Sequence, residues 1–127
     1  MFEAFIPVPP SVNAAYRSAS RNGRTVVYKS SEYKRWEQVA MKALLKAGIN
    51  PDRPMLGSLI VRYNYHFRDA GRRDIGNFEK ALSDFLETVG VYKNDCQIDE
   101  LIQRRGNMCR DNPCVHVLIH EREEFNE

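Results

Sequence analysis

The sequence predicts one α+β domain, with two helices packed on a mixed, mostly antiparallel sheet. Three observations point there. Leu59, Val61, Tyr63, Tyr65 and Phe67 alternate with Ile60, Arg62, Asn64, His66 and Arg68. Period two of this kind marks a strand with one face on a core and the other toward solvent or a ligand. Two further segments repeat apolar residues at helical spacing. The resulting order is strand, strand, helix, strand, helix, strand, strand, with no internal repeat and no linker, which suits a two-layer domain. The 127 residues are one domain's length, 1–127, and a chain of this size buries roughly two-thirds of the surface its unfolded form exposes.

Taken in order, Met1–Val8 reads as a short strand stopped by Pro9-Pro10. Ser11–Gly23 reads as a polar loop, and Thr25–Tyr28 as a strand after the Asn22-Gly23 turn. Ser30 or Ser31 can cap the first helix, Glu32 sits in its first turn and Gly48 closes it. Its stripe is Tyr33, Trp36, Ala40, Ala43, Leu44 and Ala47. The second helix spans about Asp74 to Val89 and ends at Gly90, with Phe78, Leu82, Phe85, Leu86 and Val89 as its stripe. Ile98–Arg105 and Cys114–Glu121 read as a hairpin turning around Arg110–Pro113.

Composition narrows the function classes. Apolar residues are 43% and charged residues 28%, which argues against pervasive disorder. No apolar run approaches the roughly 18 residues of a membrane span. The start lacks the basic segment of a signal peptide. Cys96, Cys109 and Cys114 are an odd number without C-x-x-C spacing, so they suit a reducing cytosol and make no zinc module. His116 and His120 are about 13 Å apart on a strand, too far to share a metal.

Charge is distributed unevenly. The acidic tail, 121–127, holds four acids and one Arg, so residues 1–120 carry +5 against +2 for the whole chain. Arg17, Arg21, Arg24, Lys29, Lys34 and Arg35 stand against the single acid Glu32 between Ala14 and Arg35. Arg68, Arg72 and Arg73 form a second basic group around Asp69 and Asp74. Arginine supplies 13 of 19 cations, and its planar fork suits phosphate. A solvated surface and a nucleic-acid surface both fit this pattern.

The densest chemistry lies between Arg72 and Asp99. Asp74 opens the second helix, and Asn77, Lys80 and Asp84 share its polar face. Asp95 lies past that helix at the mouth of the next strand. Carboxylates converging from neighbouring elements repel unless a hard cation sits between them. Mg²⁺ there could activate water and stabilise a leaving phosphodiester oxygen, with Lys80 neutralising charge on the phosphate. Each residue also has a plainer reading: Asp74 as an N-cap, Lys80–Asp84 as an exposed i,i+4 pair, Asp95 as a turn residue.

Together these motifs resemble the RusA-type Holliday-junction resolvases of bacteria and their phages, over nearly the whole chain. PVPPSVNAAYR, from Pro7 to Arg17, is similar to the family's proline-rich start. RRDIGNFEKALSDFL follows D-x-D-N-x-x-K-x-x-x-D-x-L except at one fixed position, and NDCQI is similar to D-D-x-Q-[IV]. The resemblance implies a RusA-like fold and a homodimeric, cytoplasmic endonuclease. It would bind four-way junction DNA and nick two opposing strands symmetrically with Mg²⁺ or Mn²⁺, in recombination and repair. By the same resemblance, Asp74 and Asp95 take the places of catalytic, metal-holding aspartates and Lys80 that of the catalytic lysine. Asn77 and Asp84 take supporting positions. Arg17, Arg21, Arg24, Lys29, Arg72 and Arg73 would lie against phosphates.

The departures are Gly76, where the family has its second aspartate, and Asn94, in place of the first residue of the D-D pair. Glycine supplies no ligand, so affinity for the cation should fall. Three explanations stand at this point: another acid such as Asp99 or Glu79 fills the gap, the protein binds junctions and cuts them poorly, or the residue has been altered. Asp99 is about 13 Å from Asp95 along a strand, and Glu79 falls nearer the apolar side of its helix. A protein-interaction domain with merely charged surfaces is a further reading, and it would show no salt-dependent DNA affinity.

Overall fold

A computed structural model describes residues 1–122; the rest of the acidic tail lies outside the described residues. Its strands and helices are β1 (Phe2–Pro7), α1 (Val12–Ala15), β2 (Tyr16–Arg21), β3 (Arg24–Lys29), α2 (Ser31–Lys46), β4 (Leu59–His66), α3 (Glu79–Thr88), β5 (Ile98–Arg105) and β6 (Cys114–Glu121). The main sheet has the order β1-β6-β4-β5, and β2-β3 is a separate two-stranded hairpin. β6 pairs antiparallel with both β1 and β4, while β4 and β5 run parallel. The mixed α+β architecture is the expected one, with a one-turn third helix added.

Three local expectations are corrected. Ser11–Gly23 is not a loop: it holds α1 and β2, and β2 pairs residue for residue with β3. Asn22 (φ 50°) and Gly23 (φ 75°) are both left-handed, as a two-residue turn matched to the twist of a hairpin requires. β5 and β6 are not hairpin neighbours, because β4 lies between them. Asp74 does not begin an α-helix. It caps a 3₁₀ turn, Ile75–Asn77, and α3 starts only after Phe78. A glycine at the second position of that turn does nothing to hold α-helical geometry.

The core is built from the predicted stripes. Tyr33, Trp36, Ala40 and Leu44 of α2 are buried with Leu82, Phe85 and Leu86 of α3, against the inward residues of β4 and β6. Ala43 is half-buried and Ala47 exposed. Each large apolar side chain so buried contributes about 1.5–3 kcal/mol. Buried polar atoms are satisfied across the layers. Tyr33 donates to the Ala81 carbonyl at 2.5 Å, Tyr92 to that of Ser83 at 2.6 Å, and Trp36 Nε1 to that of Pro7 at 2.9 Å. Tyr63 shares a hydrogen bond of 2.8 Å with Ser83. These bonds fix the rotation of α3, so its polar face stays outward.

Burial pushes the Tyr33 phenol up to about 12 from its ordinary 10.0. It also raises Tyr63, Tyr65 and Tyr92. A raised folded-state pKa stabilises the fold fully below the unfolded value and loses that stability as pH rises through the folded value. Thermal stability should therefore hold up to about pH 10 and fall steeply beyond it. A melting temperature unchanged from pH 9 to 12 would contradict this.

Candidate nuclease site

Asp74, Asn77 and Lys80 follow one another at three-residue intervals through the 3₁₀ turn and the start of α3, and all three are exposed. The Asp74 Oδ1 accepts the Gly76 N–H at 3.0 Å, so the N-cap reading is correct as far as it goes. The Asp74 carbonyl accepts the Asn77 N–H at 3.0 Å, and among the described residues its side chain makes no other hydrogen bond, which leaves Oδ2 open. Beside it is a cleft of about 740 Å³ whose lining includes Phe67, Arg72, Arg73, Asp74 and Arg105. Arg73 and Arg105 both lie over the Phe67 ring, at 5.0 and 5.3 Å from its centre. Arg105 Nη2 donates to the Arg73 carbonyl at 2.5 Å. Arg105 is a site residue that the sequence reading missed, because the pairing joins residues far apart in the chain.

The two predicted cations differ. Arg73 is held by Asp69 at 2.7 Å, and that bond, followed by the Gly71 N–H, holds the Asp69 carboxyl below its ordinary range. Arg72 has no ion-pair partner among the described residues, so it is free to meet a phosphate. Replacing both by alanine should weaken junction binding and flatten its salt slope by one to two charges, since each phosphate contact releases about one counterion. An unaltered slope in a salt titration would contradict the assignment.

Asp84, half-buried, organises Lys80. Its Oδ2 accepts from Lys80 Nζ at 3.0 Å and from the Tyr16 hydroxyl at 2.5 Å, while Nζ sits 5.0 Å from the centre of the Tyr16 ring. Burial, then the bond to Asp84, raises the Tyr16 phenol well above its ordinary value, so it remains a donor. The i,i+4 reading of Lys80–Asp84 is correct, and Tyr16 adds a third member. Tyr16 stands 68 residues from Asp84, so spacing gives no sign of the contact.

Asp95 lies elsewhere. It is exposed and opens a short 3₁₀ turn, Asp95–Gln97, which Asn94 caps together with Gln97. Gln97 also bonds the Met55 and Gly57 carbonyls, each at 3.0 Å. Asn94, one of the two departures, thus has a structural role. Asp95 precedes the start of β5, whereas Asp74 stands by its end, where Arg105 reaches Arg73. The seven-residue rise between those ends is roughly 23 Å at 3.3 Å per residue. Within one chain the expected convergence of Asp74 and Asp95 is not made. Among the described residues no three His, Cys, Asp or Glu side chains stand close enough to hold a metal. Asp99 is paired with Arg122 at 2.8 Å, and Glu79 accepts from Ser83 at 2.7 Å, so neither replaces the carboxylate absent at Gly76.

Of the basic residues between Ala14 and Arg35, Arg17, Arg21, Arg24 and Lys29 sit on the β2–β3 hairpin, and Lys34 and Arg35 on α2. Arg17, Arg21 and Arg24 are exposed and have no ion-pair partner among the described residues. Lys29 is engaged by Glu37 at 3.0 Å. No helix is long and apolar enough to cross a membrane among the described residues.

No curated protein matches the chain. The family model described as endodeoxyribonuclease RusA matches residues 7–120, a span that takes in the hairpin, the Asp74 turn, α3 and the Asp95 turn. With that match added to the fold and to the side chains just placed, the chain belongs to the RusA family of endodeoxyribonucleases, whose activity is Holliday-junction resolution.

Proposed function

We propose that two copies of this chain form a Mg²⁺-dependent junction resolvase in which Asp74 and Lys80 of one copy act with Asp95 of the partner subunit. The observation that carries this is the exposed edge of β5, flanked by the two half-sites. β5 ends the sheet, and Leu101 and Ile102 at its centre are 38% and 37% exposed. An uncovered edge with apolar residues invites another strand. Its sequence, IDELIQRR, has Asp99 and Glu100 in the first half and Arg104 and Arg105 in the second. Antiparallel pairing with itself therefore sets acid against base on both sides of a two-fold axis. The same pairing carries each Asp95 toward the partner's Asp74 end.

A cation held by the paired aspartates would supply activated water and stabilise the leaving oxygen. Lys80, aimed by Asp84 and Tyr16, offsets charge on the phosphate, while Arg72 and the hairpin arginines hold the backbone. Two such sites about a two-fold axis suit symmetrical nicks in opposing strands, in DNA recombination and repair. The setting is a bacterial cytoplasm, with the protein host- or phage-encoded. Gly76 favours a second reading, a protein that binds junctions and cuts them poorly.

Incubating a labelled four-way junction with the protein in Mg²⁺, and then in Mn²⁺, separates the two. Paired symmetrical nicks, absent from a linear duplex, support the resolvase. Tight binding with no nicks in either metal supports the second reading. Linear duplex competing as well as the junction does would overturn both.

A further inference from the structure

The β2–β3 hairpin has two unlike faces. Tyr16 and Lys29 lie on one, turned toward α3 and α2. The register pairs Arg17 with Tyr28, Ala19 with Val26 and Arg21 with Arg24, and cross-strand partners share a face. The other face therefore carries three arginines, one tyrosine and small apolar residues. Tyr28 is 50% exposed and Val26 40%. Residues 4–31 contain no Asp or Glu, so nothing on the hairpin neutralises this face. At its base is a cleft of about 490 Å³, lined in part by Arg17, Tyr28, Lys34 and Arg35. That is room for one nucleotide-sized group. The cleft lining also holds one acid, Glu32, against Arg17, Lys29, Lys34 and Arg35, so cations outnumber it. An exposed aromatic ring beside such a basic surface is complementary to a stacked base and its phosphate.

We propose that Tyr28 stacks on a base splayed out near the branch point, while Arg17 and its neighbours hold that nucleotide's phosphate. This inference rests on the junction reading above. Linear duplex offers no free base face, so Tyr28 would confer preference for the branched substrate. The arginines would serve any DNA alike.

The test measures binding of a four-way junction and of linear duplex with Ca²⁺ in place of Mg²⁺. The junction carries 2-aminopurine beside the crossover. Tyr28→Ala should lower junction affinity about tenfold, leave duplex affinity within twofold and abolish the 2-aminopurine emission change. Tyr28→Phe should keep all three properties. Arg17→Ala should weaken both substrates and reduce both salt slopes by about one. Equal losses on junction and duplex in Tyr28→Ala, or failure of Tyr28→Phe to retain selectivity, would overturn the proposal. So would a fall in dimer mass in Tyr28→Ala, because the hairpin would then be a subunit contact. A wild-type protein that binds junctions while Tyr28→Ala changes nothing sinks this inference alone. A wild-type protein that binds no junction sinks the resolvase reading with it.

Discussion

Asp74→Asn should abolish strand cutting and leave junction binding intact. Asp74 is exposed, and among the described residues its side chain takes part in one hydrogen bond, Oδ1 accepting from the Gly76 N–H. An asparagine can accept the same bond, so the cap and the fold survive. What the substitution removes is one negative charge from a site already short of a carboxylate at Gly76. If Asp74 holds the cation as proposed, losing its charge should cost several kcal/mol of transition-state stabilisation, or about a thousandfold in rate or more. Binding should hold or tighten, since a charge that repels phosphate is gone. Gel shift and single-turnover cleavage on one junction measure both effects. A variant that cuts within tenfold of wild type would remove Asp74 from the chemistry.

Gly76→Asp should have the opposite effect. The glycine is not in the left-handed region, and a Cβ there would meet only Asp74 Oδ1, at 3.3 Å. A few tenths of an ångström of side-chain movement accommodates it. The new carboxylate stands in the same 3₁₀ turn as Asp74, so the two repel without a cation and cooperate with one. The Mg²⁺ concentration for half-maximal cutting should fall about tenfold, a gain of about 1.4 kcal/mol in binding. The melting temperature should drop slightly without metal and recover with Mg²⁺, because a ligand that binds only the folded state stabilises it. A Mg²⁺ requirement that is unchanged or higher would mean that position 76 does not face the cation.

Patterns read from single elements survived, and patterns that depend on non-local pairing did not. The alternation of residues 59–66 gave β4 its correct inner face, and the stripes of α2 and α3 gave the core, because burial imposes those periods directly. β2 was hidden because YRSASR has no apolar alternation; it is a strand through pairing with β3 across Asn22-Gly23. β5 and β6 looked like a hairpin because neighbours in sequence usually pair, and nothing in either strand signals that β4 separates them. Lys80–Asp84 was legible from helical spacing. Tyr16 and Arg105 were not, since their contacts are tertiary. Asp74 and Asp95 were expected to converge because they lie at the ends of neighbouring elements, yet α3 fills the interval between them and carries them to opposite ends of β5.

The composite arrangement makes a prediction that no single-chain site can share. Asp74→Asn and Asp95→Asn copies, each inert alone, are co-expressed with different tags and isolated as the mixed dimer. If Asp74 of one copy works with the partner subunit's Asp95, one of the two sites contains both native aspartates. The mixed dimer should then nick one strand of the junction, at up to half the wild-type rate per dimer. If each chain holds its own site, both sites lack an aspartate and the mixed dimer stays inert. An inert mixed dimer, tested beside a wild-type dimer that cuts, would contradict the shared site.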